Sequence, residues 1–208
     1  IGRLEVWRND HWATILGESP NLGDHNNTNS SGGTGTRGIL FGGYGGSPAS
    51  AKSTIDYLTV STLGNTEDFG DISGTTNYRA GAAASRTRGI MAGGIPETAD
   101  IHFVTIASTG NSTDFSNLTD SRRGPAGCGS QTRAIFGGGF HNPSHVDIID
   151  SHTITSSADA IDFGNLSEGR ARAGAFSSSV RAVFGNGKTG TTTEFNTIDY
   201  VTISTQGD

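Results

Sequence analysis

The stretch GNGKTGT, Gly185 to Thr191, is the part of this sequence that most resembles a chemical device. A phosphate-binding loop cradles phosphates with glycine N–H groups, neutralises them with a lysine, and opens a helix with GxxxxGK[ST] spacing. Here the first spaced glycine is missing, and the TTEFNTIDY that follows reads as a strand. FGGYGG, from Phe41, likewise runs into SPASAKS without a helical pattern. Six histidines could serve metals or proton transfer: His11, His25, His102, His141, His145 and His152. His141 and His145, in HNPSH, stand at helical ligand spacing, with Asp147 as the nearest third donor. Pro143 and the nearby glycines make this segment a loop, so no metal and no cofactor are expected. Serine and aspartate are abundant, but no Ser-His-Asp order and no nucleophile elbow appears. Glu5, Glu18, Glu67, Glu97, Glu168 and Glu194 lie in no recognisable motif. Carboxylate pairs for glycoside cleavage are spatial and stay open at this stage. Cys128, within AGCGSQT, reads as a buried small hydrophobe. The Asn-x-Ser/Thr triplets at Asn26, Asn29, Asn111, Asn117 and Asn165 follow from composition. No enzyme is expected.

The bulk properties point the same way. Of 208 residues only 32% are hydrophobic and 16% charged, while 32 are glycine. Low charge, many small polar residues and short apolar runs fit an all-β chain with many turns. A net charge of −6 argues against general nucleic-acid binding. No apolar run approaches the ~20 residues of a membrane helix, so no membrane insertion is expected. Beginning at Ile1, the sequence reads as a fragment or a processed product.

The elements that must position any site come from a repeat. RGILFGG, RGIMAGG, RAIFGGG and RAVFGNG begin at Arg37, Arg88, Arg133 and Arg181, spaced 51, 45 and 48 residues apart. Each is followed by a second element: IDYLTVST from Ile55, IHFVTIAST from Ile101, IDSHTITSS from Ile149 and IDYVTIST from Ile198. A third centres on Phe69, Phe115 and Phe163, each after an aspartate (Asp68, Asp114, Asp162). A fourth is a small-residue run: RAGAAASRT, GPAGCGSQT and RAGAFSSSV. The apolar runs are too short for helices and stop at glycine, and the second element is rich in β-branched and aromatic residues. Ile198 and Tyr200 point to one face, Val201 and Ile203 to the other. Apolar groups on both faces predict a strand covered on both sides. Four short strands in somewhat under 50 residues match one propeller blade. The arginines and the glycines Gly42, Gly43, Gly93, Gly94, Gly137, Gly138 and Gly185 read as architecture: the glycines for positive φ or close approach. The repeated Asp is read as a turn cap or as a partner of the repeat arginine, and the Phe as a wedge between blades.

An apolar strand ending in a diglycine, in units just under 50 residues, resembles kelch-type β-propeller repeats, although the Tyr and Trp usual after the diglycine are not regular here. IDYVTISTQGD, TDFSNLT and RAGAFSSSVRAVFGNG look like repeats of bacteriophage tail-fibre and other virion proteins. GRLEVWRNDHWATI looks like the Trp-containing hairpin that precedes such repeats. The resemblance implies a virion surface or tail-fibre-type structural protein, carried on the extracellular particle. Its partners would be other virion proteins, further copies in a homo-oligomer, and a host-surface glycan. A ligand-free decorating protein and a glycan-degrading enzyme are the alternatives.

The expected fold is all-β: a propeller of about four kelch-like, four-stranded blades over residues 37–208, with residues 1–36 as an N-terminal hairpin and closing strands. The fourth unit stops short of its third and fourth strands, while residues 1–36 hold RLEVWR, WATIL and TNSSGGTGT. An open sheet edge must be covered, so the N-terminal strands are predicted to complete the last blade. A longer array or strands from partner chains is the alternative. Function is expected where the copies differ, in the loops after the glycines. There Tyr44, Phe140, His141 and Asn142 offer the aromatic faces and amides that hold sugars in shallow sites.

Overall fold

The computed structural model describes residues 5–8, 11–14, 37–45, 48, 50–62, 64–74, 78–190 and 193–205. All of its regular structure is antiparallel β, without a helix among the described residues. β1 (Glu5–Arg8) and β2 (His11–Thr14) form a two-stranded hairpin. The first sheet has the order β3 (Arg37–Gly45), β4 (Ser50–Thr59), β5 (Glu67–Asp71). The second runs β6 (Gly81–Ala84), β7 (Arg88–Ala92), β8 (Thr98–Thr105), β9 (Thr113–Arg122). The third repeats it with β10 (Ala126–Gly129), β11 (Arg133–His141), β12 (Ser144–Thr153) and β13 (Ile161–Asn165). In the fourth, β14 (Gly174–Ser177), β15 (Arg181–Gly185) and β18 (Ile198–Thr202) pair, and the small hairpin β16 (Lys188–Thr189) and β17 (Thr193–Glu194) interrupts the last connection. Each small-residue run heads the sheet of the arginine strand that follows it. The sheets are therefore one strand out of phase with sequence units counted from the arginines.

Strand alternation gives every sheet two apolar faces, and successive sheets pack through them. Ile55, Phe69 and Ile72 of the first meet Met91 and Val104 of the second. Ile90, Ile101 and Leu118 of the second meet Ala134, Phe136 and Ile154 of the third. Ile135, Ile149 and Phe163 of the third meet Ala182, Phe184 and Val201 of the fourth. The repeated Phe is thus a wedge between sheets, fully buried at Phe69 and Phe163. The small residues of the leading strands have a steric cause. A Cβ on Gly127 of β10 would collide with the backbone of Ala82 in β6, so only the smallest residues let these strands approach.

The repeat arginine ties each sheet to the next. Arg37 Nη1 donates to the Ile106 carbonyl at 2.8 Å, Arg88 Nη1 to Ile154 at 2.9 Å and Arg133 Nη1 to Ile203 at 2.8 Å. Arg37, Arg88 and Arg181 also lie 4.7, 4.3 and 4.9 Å over the rings of Tyr57, Phe103 and Tyr200. Arg133 has Ser151 at the corresponding position. Asp162 accepts from the Gly164 N–H at 3.2 Å within β13, beside the bulge between β12 and β13.

The glycine expectation needs one correction of phase. The positive-φ pair falls five and six residues after the arginine in every copy: Gly42–Gly43, Gly93–Gly94, Gly138–Gly139 and Asn186–Gly187. There the arginine strands β3 and β11 bulge against β4 and β12. Gly137 and Gly185 lie one place earlier, without positive φ; Gly137 meets the close-approach half of the expectation, since a Cβ there would sit 2.8 Å from the Phe184 ring.

Polar groups are also buried between sheets. Arg122 Nη2 and Asp150 Oδ2 are 2.8 Å apart, with both side chains at 0% exposure, and Arg170 pairs with Asp199 at the corresponding place one sheet on. Burial alone would raise the Asp199 carboxyl. Hydrogen bonds from Ser167 and Arg170, with the charge of Arg170, outweigh burial and hold it below the usual carboxylate range. His152, 1% exposed, stands where other copies carry Val104 and Val201. It packs edge-on to Phe115, and neither ring nitrogen has a hydrogen-bond partner.

The outer faces of the series are bare. The positions of Ile198, Tyr200 and Phe176 in the fourth sheet are covered by the following sheet in earlier copies, yet here they are 69, 61 and 58% exposed. Leu40, Leu58 and Val60 of the first sheet occupy positions covered by a preceding sheet in later copies, and are 47, 36 and 57% exposed. The expectation of strands covered on both sides therefore holds between sheets and not at the two outer faces. Of the segments expected to complete the last blade, TNSSGGTGT lies outside the described residues, while RLEVWR and WATIL supply β1 and β2. The β1–β2 hairpin pairs with no other strand among those described.

Burial lowers the His152 pKa first, with Arg88 adding to it against the opposing pull of Asp159. A histidine depressed in the fold leaves the unfolded chain binding more protons, so stability is lost as pH falls below about 6.5. His152→Val, the residue of two sister copies, should flatten that acid-side loss. Urea midpoints measured from pH 7.5 to pH 5 check this, and equal slopes in both proteins refute it.

Candidate functional site

One end of the sheets carries a backbone device repeated in three copies. Just before each small-residue strand, one residue bridges to the residue seven places after the repeat arginine: Tyr78 to Ile95, Arg123 to Phe140 and Ala171 to Lys188. Arg123 and Phe140 exchange both N–H···O bonds, at 3.0 and 2.8 Å, and Ala171 and Lys188 do so at 3.1 and 3.0 Å. Tyr44 holds the corresponding hairpin position of the first sheet. The bridges are backbone bonds, so they fix where side chains emerge without fixing which ones.

The next residue, at Arg79, Gly124 and Arg172, takes φ of 58, 68 and 60°. These left-handed residues are linked in series: the Gly124 N–H donates to the Arg79 carbonyl at 2.6 Å, and the Arg172 N–H to the Gly124 carbonyl at 3.0 Å. The three backbones thereby converge, and the side chains around them enclose a pocket of about 250 Å³. Its lining is cationic and partly apolar: Arg79, Arg123, Arg172 and Lys188 with Phe140, His145 and Ala171.

The pocket has an ordered wall and a free one. Arg123 Nη1 lies 3.0 Å from Glu97 Oε1, and Glu97 Oε2 accepts from the Asn142 backbone N–H at 3.0 Å. The Arg123 guanidinium stands 4.3 Å over the Phe140 ring, which meets His145 edge-on at 4.9 Å. His145 Nδ1 is 3.1 Å from the Thr189 hydroxyl. Of the other lining cations, Arg79 lies 5.6 Å over the Tyr78 ring, and Arg79, Arg172 and Lys188 have no side-chain hydrogen bond or carboxylate partner among the described residues. Lys188 faces Glu194 across the β16–β17 register without an ion pair.

Of the residues singled out from sequence, Phe140 lines the pocket. Tyr44, 62% exposed, stacks 5.1 Å from Tyr78, next to Arg79. His141 turns away: its Nδ1 donates to the Ser121 carbonyl at 2.8 Å and lies 3.0 Å from Asp120. Asn142 is exposed, and its backbone rather than its amide is engaged. Lys188 lies in GNGKTGT, weighed above as a phosphate loop; the three arginines were not expected at a site, although YRAG, RRGP and RARAG each place a basic residue just ahead of a small-residue run. Cys128 is fully buried, and burial pushes its thiol up to about 12, which makes it inert. No group of metal-ligating side chains occurs among the described residues, and no helix there is long and apolar enough to cross a membrane.

No protein-family model matches this chain, and none of the curated protein sequences matches it.

The His145 pKa is lowered by burial first, then by the charges of Arg123, Arg172 and Lys188. Removing charge from the free wall should raise it. In Arg172→Gln and Lys188→Gln proteins the NMR titration of the His145 ring is expected to move toward the ordinary value near 6.5. An unchanged titration would mean that these cations do not share a field with His145.

Proposed function

We propose that this chain is a display and adhesion module of a bacteriophage virion, of tail-fibre type, and that its hairpin end contacts a host-surface glycan. The observation that carries the reading is the backbone bridge repeated with changing side chains. A fixed frame presents Tyr44, Tyr78 with Ile95, Arg123 with Phe140, and Ala171 with Lys188. Constant architecture with variable tips suits recognition, because binding residues are carried on loops positioned by a rigid scaffold. Tyr44 is exposed and Phe140 half-buried, so each offers an aromatic face at its hairpin. Contacts of this kind are weak singly, and copies on one particle multiply them. The virion assignment is supported by the resemblance of the repeats.

In this reading the four sheets close into a ring of four blades. The bare face of the fourth sheet and the bare face of the first are the two halves of an interface that the chain already uses between its other sheets. Arg181 stacks on Tyr200 and, alone of the four repeat arginines, donates to no backbone carbonyl among the described residues. By register its acceptor would be Val60. Ring closure would bury Leu40 against Ile198, the equivalents of Met91 and Ile55.

Two measurements test this. Tyr44→Ala and Phe140→Ala proteins should bind host cells or a glycan array at least about tenfold more weakly, a loss of roughly 1.4 kcal/mol per site, with unfolding midpoints near the parent's. Retained binding removes the hairpin end as the contact surface. A Leu40→Cys/Ile198→Cys protein treated with a short bismaleimide should cross-link within the monomer, Cys128 being buried. Cross-linked dimers, or no cross-link, would overturn the ring.

A further inference from the structure

The basic pocket stands out against the rest of the molecule. The chain carries a net charge of −6, yet four of its 14 Lys and Arg residues line one recess. A carboxylate, Glu97, meets one of them, Arg123; Arg79 lies 5.6 Å over the Tyr78 ring, and Arg79, Arg172 and Lys188 have no carboxylate partner among the described residues. Like charges held together without counter-charge raise one another's free energy, and a concave wall strengthens their field. Two of the three stand on left-handed backbone that glycine would occupy with less strain: the third copy has Gly124 there. Phe140 and Ala171 supply an apolar floor beside the cations. At about 250 Å³ the recess lies just below the ~300–1,000 Å³ of drug-sized sites, a fit for one ring and its substituents.

We propose that this pocket binds an acidic sugar residue: the ring rests on Phe140 and Ala171, and its carboxylate or phosphate is held by Arg79, Arg172 and Lys188. Guanidinium groups match the planar carboxylate and the tetrahedral phosphate with paired N–H donors, and lysine adds a point charge. Arg123 has a different part: bonded to Glu97 and stacked on Phe140, it holds the aromatic wall in place. An adjoining recess of about 390 Å³ shares Arg172 and Lys188, so a sugar chain has room to continue past the acidic residue. The inference rests on the glycan-adhesion reading and adds to it the charge of the sugar.

The test uses the intact chain and four probes: methyl glucuronide, glucose 1-phosphate, methyl glucoside and inorganic phosphate, each titrated by NMR. Both acidic sugars should bind at least tenfold more tightly than methyl glucoside and more tightly than inorganic phosphate. They should also raise the His145 pKa. Arg172→Gln and Lys188→Gln should each cost about tenfold in affinity, and Lys188→Arg should retain it. Three results would overturn the proposal: methyl glucoside binding as well as the acids, inorganic phosphate binding as well as glucose 1-phosphate, or no probe moving the pocket signals. In the first case the adhesion reading survives without its charge. In the others it is judged separately by the Tyr44→Ala and Phe140→Ala cell-binding assay.

Discussion

Arg37, Arg88 and Arg133, each at the head of its repeat strand, join one sheet to the next through the same bond. Each reaches out of its own sheet and donates to the carbonyl just past the second repeat strand of the next, at Ile106, Ile154 or Ile203. A bond from a charged donor to backbone is worth about 1.5–3 kcal/mol, and where an aromatic lies beneath, the guanidinium keeps a cation–π contact as well. Because the acceptor is backbone, the link does not depend on which side chain the next copy carries. Copies can therefore diverge in their hairpins while the stacking stays fixed, and the variable end is held to a common frame.

The buried polar groups work differently, because they differ from one interface to the next. Arg122 with Asp150 and Arg170 with Asp199 fill equivalent places between successive sheets, whereas the second sheet has His102 where those aspartates stand. Buried ion pairs add little net stability over apolar packing. Their cost when broken does make them registry devices: an interface slipped by one residue would bury an arginine without its carboxylate. Apolar wedges supply the stabilisation, and the arginine pairs restrict which sheets can meet, and how.

Much of this architecture was legible in the sequence. Repeated RGI, IDY and DF segments located the strands, and the period-2 pattern of Ile198, Tyr200, Val201 and Ile203 assigned faces that the structure reproduces. The phase of the glycines was misread, because GGG and GNG offer two ways to place a pair. Counting from the arginine resolves it, since the bulge keeps its distance from that anchor. The arginine's partner was not legible, because every residue carries a carbonyl and no residue type marks the acceptor. The pocket was only half legible. Phe140 was visible as an aromatic in a divergent loop. Arg79, Arg123, Arg172 and Lys188 are scattered along the chain and meet only because three backbones converge at Arg79, Gly124 and Arg172.

The left-handed backbone at Arg79 and Arg172 carries a further consequence. A side chain there costs on the order of 1 kcal/mol relative to glycine, and Gly124 demonstrates that the frame accepts glycine at the same place. Two strained positions therefore carry charge into the lining of one recess. A version of this protein selected only for resistance to heat would drift toward glycine at both, and would lose the charged wall while gaining firmness. If the recess holds an anion, robustness and chemistry compete directly at these two residues.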